Sequence, residues 1–580
     1  MEEMRNAVED RFRIGRLGQY QNIVLRSLEK LAGDDVIARI WRRDHTVWKP
    51  EPPEIKNRLG WLNSVERMTE DIPRIEELSE NVRAEGFERI LLLGMGGSSL
   101  APEVLSKVFG SGSGYPRLDV LDSTVPEAIL SYAGQIDPEH TLFIVSTKSG
   151  DTVETLSLFK FFYRWMTDRL GRRGNSGRRF IAITDAGSRL AHLASSLDFR
   201  TVFFNDPDIG GRYSALSYFG LVPAALVGVD IRILLERALM MVHNCALCND
   251  RTCSNNEGAY LGAVLGALAG AGRDKLTLVT SPPLAGFGDW VEQLIAESTG
   301  KEGRGIVPVI AEPAGAPEVY GGDRLFIRLK LEGFGPDKST DNFMEELVCA
   351  GHPVVEFNLC DLFDLGGQFF LWEMAAAVAG YFLKINPFDQ PNVEAAKEAS
   401  RLLIAEYMEM CAFPPETPAL KADGMVVYGD VRSNSPGKAL KDFLRRASPG
   451  DYAAIQAYIY HTREADEALS ELRTRIRDEF RIPVTSGYGP RYLHSTGQLH
   501  KGDRGNGLFI QITADSLNDV PIPDDPESTS SFMTFGVLKK AQALGDQQAL
   551  IRAGRRLVRF HFVSDAVGGI RRLAQSLNKV

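Results

Sequence analysis

The chain has 580 residues, more than one hydrophobic core usually serves, so two or three domains are expected. Its hydrophobic share of 44% and charged share of 24% are ordinary for a soluble globular protein. A net charge of -10 argues against non-specific binding to nucleic acid or anionic membranes, which needs a basic surface, but leaves room for a small anion in a local basic pocket.

The opening "MEEMRNAVEDRFR" is charged and has no apolar core, which argues against a secretory leader. Residues 1–50 read as a helical segment, because "IVLRSLEKLAGDDVIARIWRRD" spaces its apolar residues at helical intervals. The first strand signal is "RILLLGMGG". After it come a helix ("LAPEVLSKVF"), a strand ("LDVLD"), a helix, a strand ("TLFIVST"), a helix ("TVETLSLFKFFYRWMTDRL") and a strand ("FIAITD"). Buried strands alternating with helices predict a doubly wound parallel sheet. A second series starts near residue 255 with "AYLGAVLGALAG", "LTLVTS", "DWVEQLIAES" and "RLFIRLKL", and ends in a long helix at 369–385. A third α/β region follows from 401. The expected division is 1–50, 51–235, 236–400 and 401–580. The most apolar run, "GAYLGAVLGALAGAG", is too short to span a membrane. The 6 cysteines are few and not framework-spaced, which fits a reducing cytoplasm. "HNCALCNDRTC" gathers His243, Cys245, Cys248 and Cys253, but a Cys-x-x-Cys without a second pair reads as packed thiols before it reads as zinc.

Two stretches carry chemistry. "LLLGMGGSSLAP" places glycines between a buried strand and a helix, where backbone N–H groups and the helix N-terminus favour an anion. A dinucleotide site competes, since Gly94-x-Gly96 resembles the start of a Rossmann fingerprint and Asp122 ends the next strand. "VSTKSGDTVET" decides between them. Ser146, Thr147, Ser149, Thr152 and Thr155 crowd around Lys148 and Gly150. Hydroxyls, free amides and one ammonium suit a phosphate monoester, and one helix cap needs only one hydroxyl.

Together "GMGGSS" and "STKSGDTVET" resemble the sugar isomerase (SIS) domain of phosphosugar enzymes, which implies that Gly97, Ser98, Ser146, Thr147, Lys148, Ser149 and Thr152 hold the phosphate. "GGRYSALSYFGL", "EQLIAESTGKEGRG" and "NPFDQPNVEAAK" narrow the resemblance to glucose-6-phosphate isomerases. "HSTGQLHKG" and "FGVLKKAQALGD" look like the isomerase half of bifunctional transaldolase/glucose-6-phosphate isomerases. The implied fold is α/β: two tandem doubly wound SIS domains with parallel sheets, plus a C-terminal α/β region that contributes to the active site. The implied reaction opens the sugar ring and moves a proton between C2 and C1 through an enediolate, in glycolysis and gluconeogenesis.

The resemblance makes Glu297 the proton-transfer base, a task a carboxylate performs near neutrality with modest tuning. Gln293 lies one turn earlier on the same helical face, placed to orient Glu297 or the sugar. Arg212 follows two glycines and would stabilise the enediolate with a fixed charge. Lys397 is implied as a ring-opening or hydroxyl-binding group. Ring opening in the family also uses a histidine between the glutamate and the lysine. Here only His352 lies there, in a stretch that matches poorly. His494, or failing that His500, is therefore expected from the C-terminal region. No cofactor and no metal are expected. The partner is a small-molecule sugar phosphate, not nucleic acid or membrane, in the cytoplasm; a homodimer and a separate transaldolase stay open. Competing readings are a mannose-6-phosphate isomerase and a sugar-phosphate-sensing SIS protein without chemistry; an NAD-dependent dehydrogenase is more distant.

Overall fold

Apolar runs bounded by glycine and polar turns become strands buried on both faces, and they sort into three sheets. The computed structural model describes residues 13–171, 175–248, 252–335 and 337–577. The described chain opens with a short strand, β1 (Arg13–Arg16), inside the segment whose spacing predicted only helices. Helices Gln21–Gly33 and Val36–Trp41 follow it.

The first sheet contains β2 (Arg89–Gly94), β3 (Arg117–Leu121), β4 (Thr141–Ser146), β5 (Phe180–Asp185) and β6 (Thr201–Asn205). Their spatial order is β3-β2-β4-β5-β6, with every pair parallel. The chain leaves β2 toward β3 and then crosses back to β4. The crevice beyond the carboxyl ends of β2 and β4 is thus a topological switch point, where open α/β sheets bind ligands. "GMGGSS" and "STKSGDT" form its two lips. The helix after β4, α1 (Val153–Leu170), supplies the N-terminus behind them.

The second sheet holds β7 (Lys275–Thr280), β8 (Val307–Val309), β9 (Arg324–Leu331) and β10 (Val354–Leu359). β1 returns to pair antiparallel with β10, so the N-terminal segment closes this edge. Between β7 and β8 runs α2 (Phe287–Thr299), which carries Gln293 and Glu297. Helix α3 (Leu365–Leu383) is almost wholly apolar and lies buried among the helices Ile231–Ala246, Glu257–Gly270 and α2, as expected of a helix hydrophobic all round. Helix α4 (Val393–Met410) leads to the third region.

The third sheet comprises β11 (Leu420–Ala422), β12 (Met425–Gly429), β13 (Tyr452–Tyr458), β14 (Val484–Tyr488), β15 (Gly507–Ala514) and, after the two-stranded ribbon β16 (Pro521–Ile522) and β17 (Met533–Thr534), β18 (Arg556–Phe562). The order β11-β12-β18-β15-β13-β14 makes a parallel four-stranded core with an antiparallel edge. Between β14 and β15 a 3-10 turn, Arg491–His494, precedes the short helix α5 (Gly497–Gly502). Helix α6 (Phe535–Arg552) crosses back over the first sheet, where Phe535 and Leu538 join the core that holds Phe159 and Phe162. The Pro-rich stretch before α6 is not a free connection: Val520 and Ile522 are buried in the same core.

Candidate active site

The two glycine turns fit against each other at backbone distance. A Cβ on Gly97 would fall 2.0 Å from the Gly211 carbonyl oxygen, and Gly96 has φ +56° with the His494 carbonyl 2.9 Å from where its Cβ would be. Side chains there would separate three segments that meet at the crevice: "GMGG", "GGR" and the His494 turn.

On the opposite lip, Thr147 and Thr152 share a hydroxyl–hydroxyl bond of 3.0 Å at the start of α1. Ser149 Oγ accepts from the Asp151 amide. Ser146 Oγ and Thr155 Oγ1 are buried without a partner among the described residues, as donors awaiting an acceptor would be. Ser98 is buried beside them at the end of the other lip. Lys148 differs from its expected role: its ammonium donates to Asp185 Oδ2 and to the Pro207 carbonyl, both at 2.7 Å. Its charge is thus paired with a carboxylate, which leaves hydroxyls, amides and the helix N-terminus as the unpaired candidates for holding an anion.

Glu297 sits on the last turn of α2, with its side chain 13% exposed. Its Oε1 lies 3.1 Å from Arg212 Nη1, and its Oε2 accepts from Gln293 Nε2 at 3.1 Å. Arg212 is 2% exposed. Its other N–H groups donate to Ser298 Oγ, Gln390 Oε1 and the carbonyls of Pro387 and Asp389. A guanidinium has five N–H donors, and four hydrogen bonds and the Glu297 ion pair surround this one. Arg212 therefore stands as a fixed, buried positive charge against Glu297. Lys301, missed by sequence reading, is buried beside it and donates to Asp389. Burial, followed by the Arg212 charge, lowers its pKa to about 8.

His494 reaches the same cleft from the third region. Gln293 Nε2 donates to its carbonyl at 2.8 Å, and its Nε2 lies 3.0 Å from Glu154 Oε1. Glu154 also accepts from Gln542 Nε2 on α6 at 2.7 Å. Burial alone would raise the Glu154 pKa, but His494 beside it brings the carboxyl below its ordinary value. The turn carrying His494 is anchored by Arg491, which binds Asp122 at 2.9 Å, Asp289 at 3.4 Å and Glu103. Asp122 thus holds an arginine, and the ribose contact that a dinucleotide reading would require of it is replaced by this anchor.

Two of the expected residues lie outside this hydrogen-bond network. His500 does not face the cleft: it is 2% exposed in α5, its Nδ1 lies 3.2 Å from Gln456 Nε2, and its ring packs on Phe509 and Tyr492. Burial, with Lys501 and Arg555 nearby, holds its pKa well below the ordinary value, so it stays neutral. The cause is α5 itself, which packs so closely that a Cβ on Gly502 would fall 2.3 Å from the Gly300 carbonyl oxygen. Lys397 is 46% exposed on α4 and pairs with Glu394 at 2.7 Å. No hydrogen bond joins it to Glu297, Arg212 or His494 among the described residues; its charge reaches the site only as a contribution to lowering Glu154. His352 is no alternative: it is buried against Tyr320 and Phe326, accepts from Arg273, and is pushed down to about 4 by burial. Among the described residues Cys248 and Cys253 form a disulfide, and no cluster could hold a metal. No described helix is long and apolar enough to cross a membrane.

The phosphoglucose isomerase family model matches residues 62–315, a span that contains both glycine lips, Arg212, Gln293 and Glu297. A probable glucose-6-phosphate isomerase of Methanococcus maripaludis is 30% identical over 383 residues, covering 60% of this chain and 84% of that protein. The glucose-6-phosphate isomerase of Carboxydothermus hydrogenoformans is 29% identical over 402 residues, covering 60% and 85%. In fold, a glucose-6-phosphate isomerase structure from Chlamydia trachomatis superposes with a TM-score of 0.56 at 18% identity, covering 67% of this chain and 87% of its own. A hypothetical protein from Thermus thermophilus superposes with a TM-score of 0.57 at 24% identity, covering 67% and 98%. With a glycine- and hydroxyl-lined crevice at the switch point, a braced carboxylate beside it and relatives that match over most of their length, the chain belongs to the glucose-6-phosphate isomerase family.

Proposed function

We propose that the protein interconverts glucose-6-phosphate and fructose-6-phosphate, with residues 51–235 and 236–400 as two SIS domains and 401–580 completing the site. The observation that carries this reading is the Glu297 carboxylate, braced by Arg212 and Gln293 at the edge of the anion crevice. The phosphate anchors on the hydroxyls of Ser146, Ser149 and Thr152 and the N-terminus of α1. His494, held by Glu154 through Nε2, keeps Nδ1 to exchange a proton with the ring oxygen or its neighbouring hydroxyl as the ring opens. Glu297 then removes the C2 proton and returns it at C1. Arg212 supplies charge stabilisation as the enediolate forms. Gln293 Oε1, buried without a partner among the described residues, is free to accept a sugar hydroxyl.

In this reading one chain carries base, charge and imidazole, so the chemistry needs neither a second copy nor a transaldolase partner. A doubly charged sugar phosphate does not cross membranes unaided, which supports a cytoplasmic location. A coupled assay with fructose-6-phosphate and a glucose-6-phosphate dehydrogenase tests the reading. Turnover lost in Glu297→Gln supports it. Phosphate binding without turnover in the wild-type chain would instead describe a sensor.

A further inference from the structure

The third sheet has two unlike faces. Ile455, Ile510, Val558 and Phe560 face one core. The alternating residues Gln456, Gln511 and Arg559 make the opposite face polar, although all three are buried. Strands covered on both faces ordinarily read as continuous apolar runs, so this line of polar groups needs a reason. Following it toward the carboxyl ends of the strands leads to a cavity of about 480 Å³. Tyr458 ends β13 there, Thr513 and Ser516 lie at the end of β15, and Arg559 and His561 lie on β18, with Lys539 of α6 opposite. The chain leaves β13 toward β14 and returns across it to β15, so this is a second topological switch point.

The charges at this cavity are unevenly matched. Glu416 is bound by Arg559 at 2.6 Å, and Asp515 lies 3.3 Å from His561. Asp519 accepts from Thr534 Oγ1 and the Gly536 amide at 2.6 and 2.7 Å. Lys539 has no such partner. It is 7% exposed, and its ammonium donates only to the Ala514 carbonyl and Ser516 Oγ, with no carboxylate within 4.0 Å among the described residues. Lys540, at the exposed rim, also has no carboxylate within 4.0 Å among the described residues and lies over the Phe413 ring. The carboxylates of Glu127, Asp515 and Asp519 act on Lys539 only from beyond 4.0 Å, and burial outweighs them, so an entering anion in direct contact would relieve a cost they leave.

We propose that this cavity is a second anion site, which binds a small organic phosphate carrying hydroxyl groups. Lys539 and Lys540 would hold the phosphate, and Thr513, Ser516 and Tyr458 would meet the hydroxyls. The volume falls in the range of small-molecule sites and exceeds what a bare phosphate fills. The inference is independent of turnover.

Titration calorimetry of the full chain with glycerol 3-phosphate, glucose-6-phosphate and inorganic phosphate tests it. Wild type should bind two glucose-6-phosphates per chain, and Ser149→Ala with Thr152→Ala should weaken one of them roughly thirtyfold while leaving the other unchanged. That unchanged site should prefer the organic phosphates over inorganic phosphate. Adding Lys539→Met, which keeps the aliphatic stem, should weaken it at least tenfold. Lys540→Ala, a substitution on the exposed rim, should weaken it by a smaller factor, and it keeps the test decisive if the buried variant does not fold. A stoichiometry of one in the wild type, or a second site indifferent to both lysines, overturns the proposal. Equal affinity for inorganic phosphate overturns its organic half. None of these outcomes bears on Glu297.

Discussion

Gln293 on α2 donates to the carbonyl of His494, 201 positions later in the chain, at 2.8 Å. The same Nε2 donates to Glu297 Oε2 at 3.1 Å. One amide therefore joins the candidate base to the turn that brings the imidazole. The two chemical steps are fixed relative to each other by a side chain that need not take part in either.

Glu297→Gln keeps the shape of the base and removes its proton affinity. Turnover should fall by about two to four orders of magnitude, with sugar-phosphate affinity nearly unchanged, because only a contribution made in the transition state is deleted. Steady-state kinetics together with equilibrium binding check this. Near-normal kcat would remove Glu297 from its role.

Phosphate recognition should fail separately from chemistry. Ser149→Ala with Thr152→Ala removes two hydroxyls at the start of α1, one of them bonded to Thr147. KM for glucose-6-phosphate and the inhibition constant of inorganic phosphate should rise together, roughly thirtyfold, from the loss of two hydrogen bonds at about 1 kcal/mol each. Competition by phosphate that is as strong as before would place the anchor elsewhere.

The anchor of the His494 turn has a pH signature. Glu292 is buried beside Asp289, and burial, reinforced by the Asp289 charge, raises its pKa to about 8. Asp289 itself is raised by burial, opposed by Arg491. The remaining charges felt by Glu292 are those of Arg473 and Arg491. A raised carboxyl holds a proton in the folded state that the unfolded chain has lost, so its contribution to stability falls as pH rises from the ordinary value of 4.5 toward about 8. Glu292→Gln should remove that decline. Urea melts should show the variant gaining at least about 1 kcal/mol on wild type between pH 5 and pH 8. Parallel pH profiles for the two chains would show that Glu292 does not titrate in this window.

Both glycine lips and the Gln293–Glu297 face were legible because each is written in consecutive residues: a strand, a turn and a helix whose chemistry is local. Glu154 was not legible. In sequence it is one more acid in the first turn of a helix, and only its partners, 340 and 388 positions away, make it the holder of an imidazole. The enclosure of Arg212 was hidden for the same reason, since all five of its partners come from α2 and from the loop before α4. His500 misled because two histidines six apart look alike in a glycine-rich segment. Tertiary packing turned that segment into a buried helix and sent one ring to the cleft and the other to the core.

His494→Ala should slow isomerisation of the cyclic sugar far more than proton exchange on an open-chain substrate, because Glu297 remains to move the proton once the ring is open. His500→Ala should instead act on stability, since its neutral ring is buried among Tyr492 and Phe509. Glu154→Gln separates holding the imidazole from exchanging its proton. It preserves the side-chain shape but removes the negative charge that faces His494 at 3.0 Å. Ring-opening turnover should fall in the same direction as in His494→Ala, though by less, and open-chain exchange should be spared. Glu154 also has a stability signature of its own. Its folded pKa lies below the ordinary 4.5, so its contribution is fully present above that value and is lost as pH falls through the depressed one. Acid titration of unfolding should therefore lose part of its slope in Glu154→Gln, only on the acid side of 4.5. An unchanged acid limb, with equal slowing of closed-ring and open-chain substrates, would mean that Glu154 and His494 serve the architecture of the cleft and not the opening of the ring.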